Sequence, residues 1–199
     1  MDKILEIINA AQELFRSYGF AKTTMTDIAK RLSISKASLY YYFKDKDEIF
    51  KALAEKEQLQ FVGEIDKIKN NSALAKEKLL EYSIKRLELL QRLLTLSSLT
   101  QDSYAAVKPL FTSVLLDFRF IEMNLVKEIL QKGISENEFM EMNIDENAEL
   151  FLDVLRGLRK VAFSKSEKQE TRIISTNEYE HLKNQSIMFT ELLINSISK

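Results

Sequence analysis

Apolar positions at the start of the chain recur every three or four residues. Ile4, Ile8, Ala11, Phe15 and Tyr18 form one stripe, and Ile7 and Leu14 widen it. That spacing predicts an amphipathic helix, with Gly19 placed to stop it. A second, shorter pattern follows. Thr24 is a good N-cap, Asp27 stands three residues on, and Met25, Ile28, Ala29 and Leu32 share a face. Ser33-Ile34-Ser35 breaks that helix, and Ser35 can cap a third over about residues 36–42. Asp45 then suits the cap of a long helix reaching about residue 70, with Ile49, Phe50, Leu53, Ala54, Phe61, Ile65 and Ile68 as its stripe.

Beyond residue 70 the pattern predicts four or five more helices, about nine in all. One covers about 72–96 and is dense in leucine (Leu79, Leu80, Leu87, Leu90, Leu94). A short one lies near 102–108. Pro109 marks the first turn of the next, which carries Phe111, Val114, Leu115, Phe118, Leu125 and Ile129 towards Gly133. The eighth holds Ala148, Phe151, Leu152, Leu155, Leu158 and Ala162, and the ninth covers about 177–196. Residues 134–149 carry six acids and no base, which reads as a solvated connection. A calcium loop would need a central glycine and a ligand spacing that this stretch lacks. The fold class is therefore all-α: three short helices in residues 1–45, then a helical bundle over 46–199 whose first helix, about 46–70, connects the two.

Composition agrees. Four glycines and one proline in 199 residues are too few for the turns of a sandwich or an α/β fold. The absence of cysteine removes disulfides, thiolate zinc sites and a cysteine nucleophile. Glycine-rich phosphate loops, metal-ligand spacings and nucleophile–base sets are missing too, so nothing points to an enzyme or a cofactor. His181, the one histidine, is expected to be exposed. The N-terminus has charges inside its apolar stretch, which does not suit a secretory signal, and no run approaches the ~20 apolar residues of a membrane span. A cytoplasmic protein is the simplest expectation.

Net charge is −1, but it is unevenly spread. Between positions 22 and 46 stand Lys22, Lys30, Arg31, Lys36, Lys44 and Lys46 against Asp27 and Asp45. Two short helices joined by a tight turn and surrounded by basic residues suit a helix-turn-helix whose second helix enters a DNA major groove. Thr24 could place its hydroxyl against a phosphate. Lys46 opens a helix, where the dipole disfavours a cation, and a phosphate contact would account for it. In "SKASLYYYFKDK", residues 35–46, helical geometry puts Leu39 and Phe43 on one face, flanks it with Tyr40 and Tyr42, and turns Tyr41 directly away.

Residues 4–53 resemble the DNA-binding unit of the tetracycline-repressor (TetR) family. The matching elements are Ala10-Ala11 followed by Leu14-Phe15, Gly19-Phe20, "TTMTDIA" from Thr23, "ISKASLYYYF" from Ile34 and "KDEIF" from Lys46. Ser33 and Ala37 depart from the alanine-glycine or glycine that members often carry there, and the Ala37 methyl bears on base choice. The resemblance implies a ligand-responsive regulator, most often a repressor released from a palindromic operator on double-stranded DNA. It places DNA contacts at Thr24, Lys36, Ala37, Ser38, Tyr40, Tyr41, Tyr42 and Lys46. It also implies a homodimer built by the last two helices, roughly 146–164 and 177–197, where Gly157 would permit close helix approach. A small effector of unknown identity would bind the bundle. Tyr82, Tyr104, Phe111, Phe118 and Met123 are candidates to line its pocket, although aromatics at helical spacing are more often plain core. Arg119 and Arg156, inside apolar stretches, could meet an anionic ligand or form surface ion pairs. The competing reading is an all-helical interaction adaptor without DNA binding, which leaves the capped helix-turn-helix unexplained.

Overall fold

A computed structural model describes the backbone of residues 2–95, 101–166 and 174–199, and the side chains of 2–92, 118–162 and 174–199. The described chain is all-helical: α1 (Lys3–Tyr18), α2 (Met25–Arg31), α3 (Lys36–Tyr42), α4 (Lys46–Asn70), α5 (Ala75–Thr95), α6 (Gln101–Ser135), α7 (Ile144–Ser166) and α8 (Thr176–Ile197). The difference from nine lies in α6. The helix runs through Pro109, where the sequence suggests a boundary. One missing N–H removes a single hydrogen bond, which a 35-residue helix can absorb.

The described residues divide into two compact units, and the chain passes between them inside α4, at Leu59 and Gln60, and again inside α5 and α6. The first is built on α1–α3 and the start of α4. Its core gathers Ile7, Ile8, Ala11, Phe15, Phe20, Ile28, Leu39, Ile49, Phe50 and Leu53. The rings of Phe15, Phe20 and Phe50 stand 5.1–6.0 Å apart, centroid to centroid. Ile4 and Tyr18, at the two ends of the α1 stripe, are exposed instead. Helix ends project past the elements they pack on, so a stripe read from periodicity overruns the core at both ends.

The caps form as their spacing suggests. Thr24 and Asp27 make a reciprocal capping box on α2. The Ser35 hydroxyl accepts from the Ser38 N–H at 3.0 Å, and Asp45 accepts from the Glu48 N–H at 2.8 Å. Between α2 and α3, Ser33 adopts φ 54. This is the left-handed conformation, unfavourable for a residue with a Cβ by roughly 1–2 kcal/mol, and it makes the sharp turn of the helix-turn-helix.

The second unit is a helical bundle. Phe61, Ile65 and Ile68 of α4, Leu79 and Tyr82 of α5, Phe118, Leu125, Val126 and Ile129 of α6, Phe151 and Leu152 of α7, and Leu182 of α8 are all buried. The 134–149 connection is more ordered than its acidity suggests. Phe139 is fully buried and forms an antiparallel bridge with Ser198. Glu138 caps α5, accepting from the Ala75 N–H at 2.9 Å. Gly133, expected to end its helix, instead lies two residues inside α6, where a Cβ would come within 2.2 Å of the Phe139 ring.

Candidate nucleic-acid interface

The third helix sorts its aromatic run by face. Leu39 is fully buried and Phe43 nearly so. Phe43 has already left the helix with φ −140, and the pair anchors α3 by burying two large apolar side chains, worth ~1.5–3 kcal/mol each. Tyr41 is 84% exposed, and Tyr40 and Tyr42 are exposed on either side of it. The Tyr41 and Tyr42 rings meet edge to face at 5.1 Å. Lys36 lies over the Tyr40 ring, 5.7 Å from its centroid, and Ala37 and Ser38 are exposed on the same helix. One short helix thus presents three phenols, a cation, a hydroxyl and a methyl to solvent. Base edges and phosphates are read by such groups.

Two of the sequence candidates are engaged inside the protein. The Thr24 hydroxyl donates to Asp27 at 2.7 Å and accepts from its N–H at 3.2 Å. The Thr24 hydroxyl, and after it the Thr24 N–H donating at 2.9 Å, hold the Asp27 carboxyl below its ordinary range. The Lys46 ammonium donates to the carbonyls of Phe20, Ala21 and Thr23 at 2.8, 3.2 and 3.2 Å, and it sits 4.5 Å from the centre of the Phe20 ring. An ammonium has three protons. All three have carbonyl acceptors here, so Lys46 clamps the start of α4 to the segment between α1 and α2.

The bundle holds a second polar cluster, built from i,i+4 pairs on three helices. Tyr82 and Arg86 share a face of α5, Phe118 and Glu122 a face of α6, and Leu152 and Arg156 a face of α7. The Glu122 side chain, 6% exposed, accepts on one oxygen from the Tyr82 hydroxyl at 2.7 Å and from Arg86 Nε at 2.6 Å. Its other oxygen stands 3.9 Å from Arg156 Nη2. That nitrogen is buried and has no hydrogen-bond partner among the described residues, whereas Nη1 bonds Asp153 at 2.6 Å towards solvent. Leaving a buried donor unbonded costs ~1–3 kcal/mol. Burial, reinforced by Glu122, pushes the Tyr82 hydroxyl well above its ordinary value and keeps it a donor. Burial opposes the Arg86 charge, but Glu122 and Tyr82 outweigh it and raise the guanidinium.

Among known proteins, the model for "Bacterial regulatory proteins, tetR family" matches residues 7–53. The solved structure of a transcriptional regulator from Cytophaga hutchinsonii is 36% identical, covers 100% of both chains and superposes with a TM-score of 0.88. The chain belongs to the tetR family. The fatty acid metabolism regulator protein of Bacillus subtilis is 28% identical over 143 residues, 70% of this chain and 72% of that one. The biofilm operon negative transcriptional regulator IcaR of Staphylococcus epidermidis is 44% identical, but over 50 residues, 25% of this chain and 27% of its own.

As a member of the tetR family the protein is a DNA-binding transcriptional regulator and not an enzyme. Among the described residues no helix is long and apolar enough to cross a membrane. Of the residues considered for an effector pocket, Tyr82 and Phe118 are buried and Met123 is half-buried. Phe118 packs on Phe61 at 5.1 Å. Tyr104 and Phe111 lie outside the residues whose side chains are described. Arg119 is exposed and stands 3.9 Å from Glu149, a surface pair, while Arg156 turns partly inward. His181 is exposed. The sequence reading missed Glu122 and Arg86, yet each has a signal. Glu122 is a lone acid at core register, four residues after Phe118 and three before Leu125, and Arg86 follows Tyr82 by four.

Proposed function

We propose that the protein is a homodimeric repressor that leaves a palindromic operator when a small apolar effector binds its bundle. The observation that carries the DNA-reading part is the sorting of α3, with Leu39 and Phe43 anchored inward and Tyr40, Tyr41 and Tyr42 presented outward. Lys36, Ala37 and Ser38 complete the reading surface, and Thr24 and Lys46 act by holding the flanks of α2 and α4 in place. Residues 1–45 form the reading head and 46–199 the regulatory body.

The dimer is supported by the outer face of α7 and α8. Leu150, Val161, Met188 and Leu192 are each more than half exposed. On α7, Leu150, Gly157 and Val161 fall on one helical stripe, and a Cβ at Gly157 would meet nothing within 4 Å. A second copy of the same two helices would cover this face and set two recognition helices about one DNA turn, ~34 Å, apart. The effector class is supported by the Bacillus subtilis relative, named for regulating fatty acid metabolism. Acting on the chromosome would place the protein in the cytoplasm.

The test is a gel-shift series with DNA from beside its own gene. A palindromic site should be bound by a dimer, with affinity falling steeply as salt rises, by ~0.9 log units per tenfold salt for each phosphate neutralised. A flat salt response, or binding by monomers, would sink the proposal. Addition of medium- and long-chain acyl compounds should release the DNA.

A further inference from the structure

The geometry points to a carboxylate-binding site at Arg86 and Arg156 in the bundle, which takes the head group of an acyl effector beside Glu122. The inference rests on the effector-responsive reading above and deepens it by naming the group recognised and the residues that recognise it.

Three observations carry it. First, two guanidiniums face one buried carboxylate. Glu122 meets Arg86 at 2.6 Å and leaves Arg156 at 3.9 Å. Asp153 balances the outer edge of Arg156, but its side chain is 55% exposed and solvent screens it. Second, Arg156 Nη2 is a buried donor with no partner among the described residues. A water molecule there would satisfy the N–H but not the second positive charge. An oxyanion satisfies both, and charge-assisted bonds of this kind are the stronger ones. Third, the Tyr82 ring that bonds Glu122 is itself buried and neighbours another buried ring. The Tyr82 and Phe151 rings stand 6.2 Å apart, and Phe118 is four residues from Glu122 on the same helix face. A ligand polar throughout would be desolvated against these rings without compensation, whereas an apolar chain ending in one carboxylate matches both parts. The Arg156 side chain is 21% exposed, so the head-group end is reachable from solvent.

The experiment compares dodecanoate, dodecanol and dodecanoyl-coenzyme A by calorimetry, on the full-length protein and on Arg156→Met. Release of operator DNA is followed separately by fluorescence anisotropy. Dodecanoate should bind wild type at least about tenfold more tightly than dodecanol. Arg156→Met should lose that advantage while its dodecanol affinity is unchanged. Its thermal transition should not fall, because the change removes an imperfectly paired buried cation. Arg156→Gln provides a second variant should the methionine fail to fold. Equal binding of acid and alcohol, or an Arg156→Met protein that keeps its preference for dodecanoate, overturns the inference. Binding and DNA release by dodecanoyl-coenzyme A alone, indifferent to Arg156, overturns it while leaving the effector reading intact. Arg156-dependent binding of dodecanoate without DNA release supports the site and refutes the effector reading.

Discussion

Around α2 and α3 the capping side chains bond to backbone close by in sequence, whereas in the bundle core Tyr82, Arg86 and Ser83 bond side chains far away. Thr24 pairs with Asp27, Ser35 with Ser38 and Asp45 with Glu48, each across three residues. In the bundle, Tyr82 reaches Glu122 across 40 residues, and Ser83 reaches Thr190 across 107. The first kind of contact forms whenever its own helix forms. The second exists only when several helices are packed in register, and it therefore reports on that register. A surface that must keep one shape to read DNA is well served by local contacts, and a body that must respond to a ligand by contacts between helices.

The sharpest way to break this comparison is to remove the centre of the long-range cluster. Glu122→Leu leaves Arg86 buried without its carboxylate and removes the acceptor of the Tyr82 hydroxyl. Breaking a buried pair from one side costs about 3–5 kcal/mol, and we expect a loss of that size in urea unfolding. Adding Arg86→Met to Glu122→Leu should recover a good part of it. A loss under ~1 kcal/mol for the single variant would mean that the cluster is effectively solvated and that the contrast between the regions is false.

Lys46 is the next largest case, because at the edge of the reading head it makes long-range bonds rather than a local cap. We expect Lys46→Met to destabilise the protein by about 2 kcal/mol, since three carbonyls lose a charged donor. DNA affinity should fall for all sequences with the salt slope unchanged. Lys36→Ala, by contrast, should reduce the slope by about 1 and leave stability within ~0.5 kcal/mol. If Lys46→Met lowers the slope at full stability, the ammonium faces a phosphate in the complex and the clamp is incidental.

This division explains what the sequence could tell. The α4 stripe from Ile49 to Ile68 is buried throughout, and the caps at Thr24, Ser35 and Asp45 all form. Each depends on residues within one helix or one turn, so periodicity and spacing suffice. The split of Leu39 from Tyr41 was legible for the same reason. The role of Lys46 was not, because its acceptors are carbonyls 23–26 residues earlier, and nothing in the lysine's neighbourhood announces them. Glu138 was read as part of a solvated acidic stretch, and it caps a helix that begins 63 residues before it. Pro109 misled in the opposite direction. A local rule named a boundary, and a long helix overrode it.

Gly157 tests the bundle face rather than its core. The added methyl meets nothing within 4 Å in one chain, so Gly157→Ala should gain helix propensity, about 1 kcal/mol, if the position stays open. Close approach of a second copy there would reverse the outcome: the dimer, measured by sedimentation, should weaken while the dissociated chain is stabilised. A variant that gains stability at every concentration and dimerises normally would remove Gly157 from the interface.

The smallest effect separates locality from region, because α8 belongs to the bundle and yet begins with a local cap. The Glu178 carboxylate accepts from the Ser175 N–H at 2.7 Å, and the Ser175 hydroxyl accepts from the Glu178 N–H at 3.2 Å. If locality is what matters, this box should behave as the Thr24–Asp27 box does, independent of packing. Ser175→Ala should then cost about 1 kcal/mol, additive with changes at Glu122. The Ser175 N–H bond, ahead of the hydroxyl, holds the Glu178 carboxyl below its ordinary range. A carboxyl lowered by folding stabilises fully above the unfolded value and loses that contribution as the pH falls through the folded one. Glu178→Gln keeps the capping geometry but not the charge. Its difference in melting temperature from wild type should therefore be present at neutral pH and vanish on acidification through the carboxylate range. A difference that persists unchanged at low pH would mean that the box is held by helix packing, and locality would no longer distinguish the two regions.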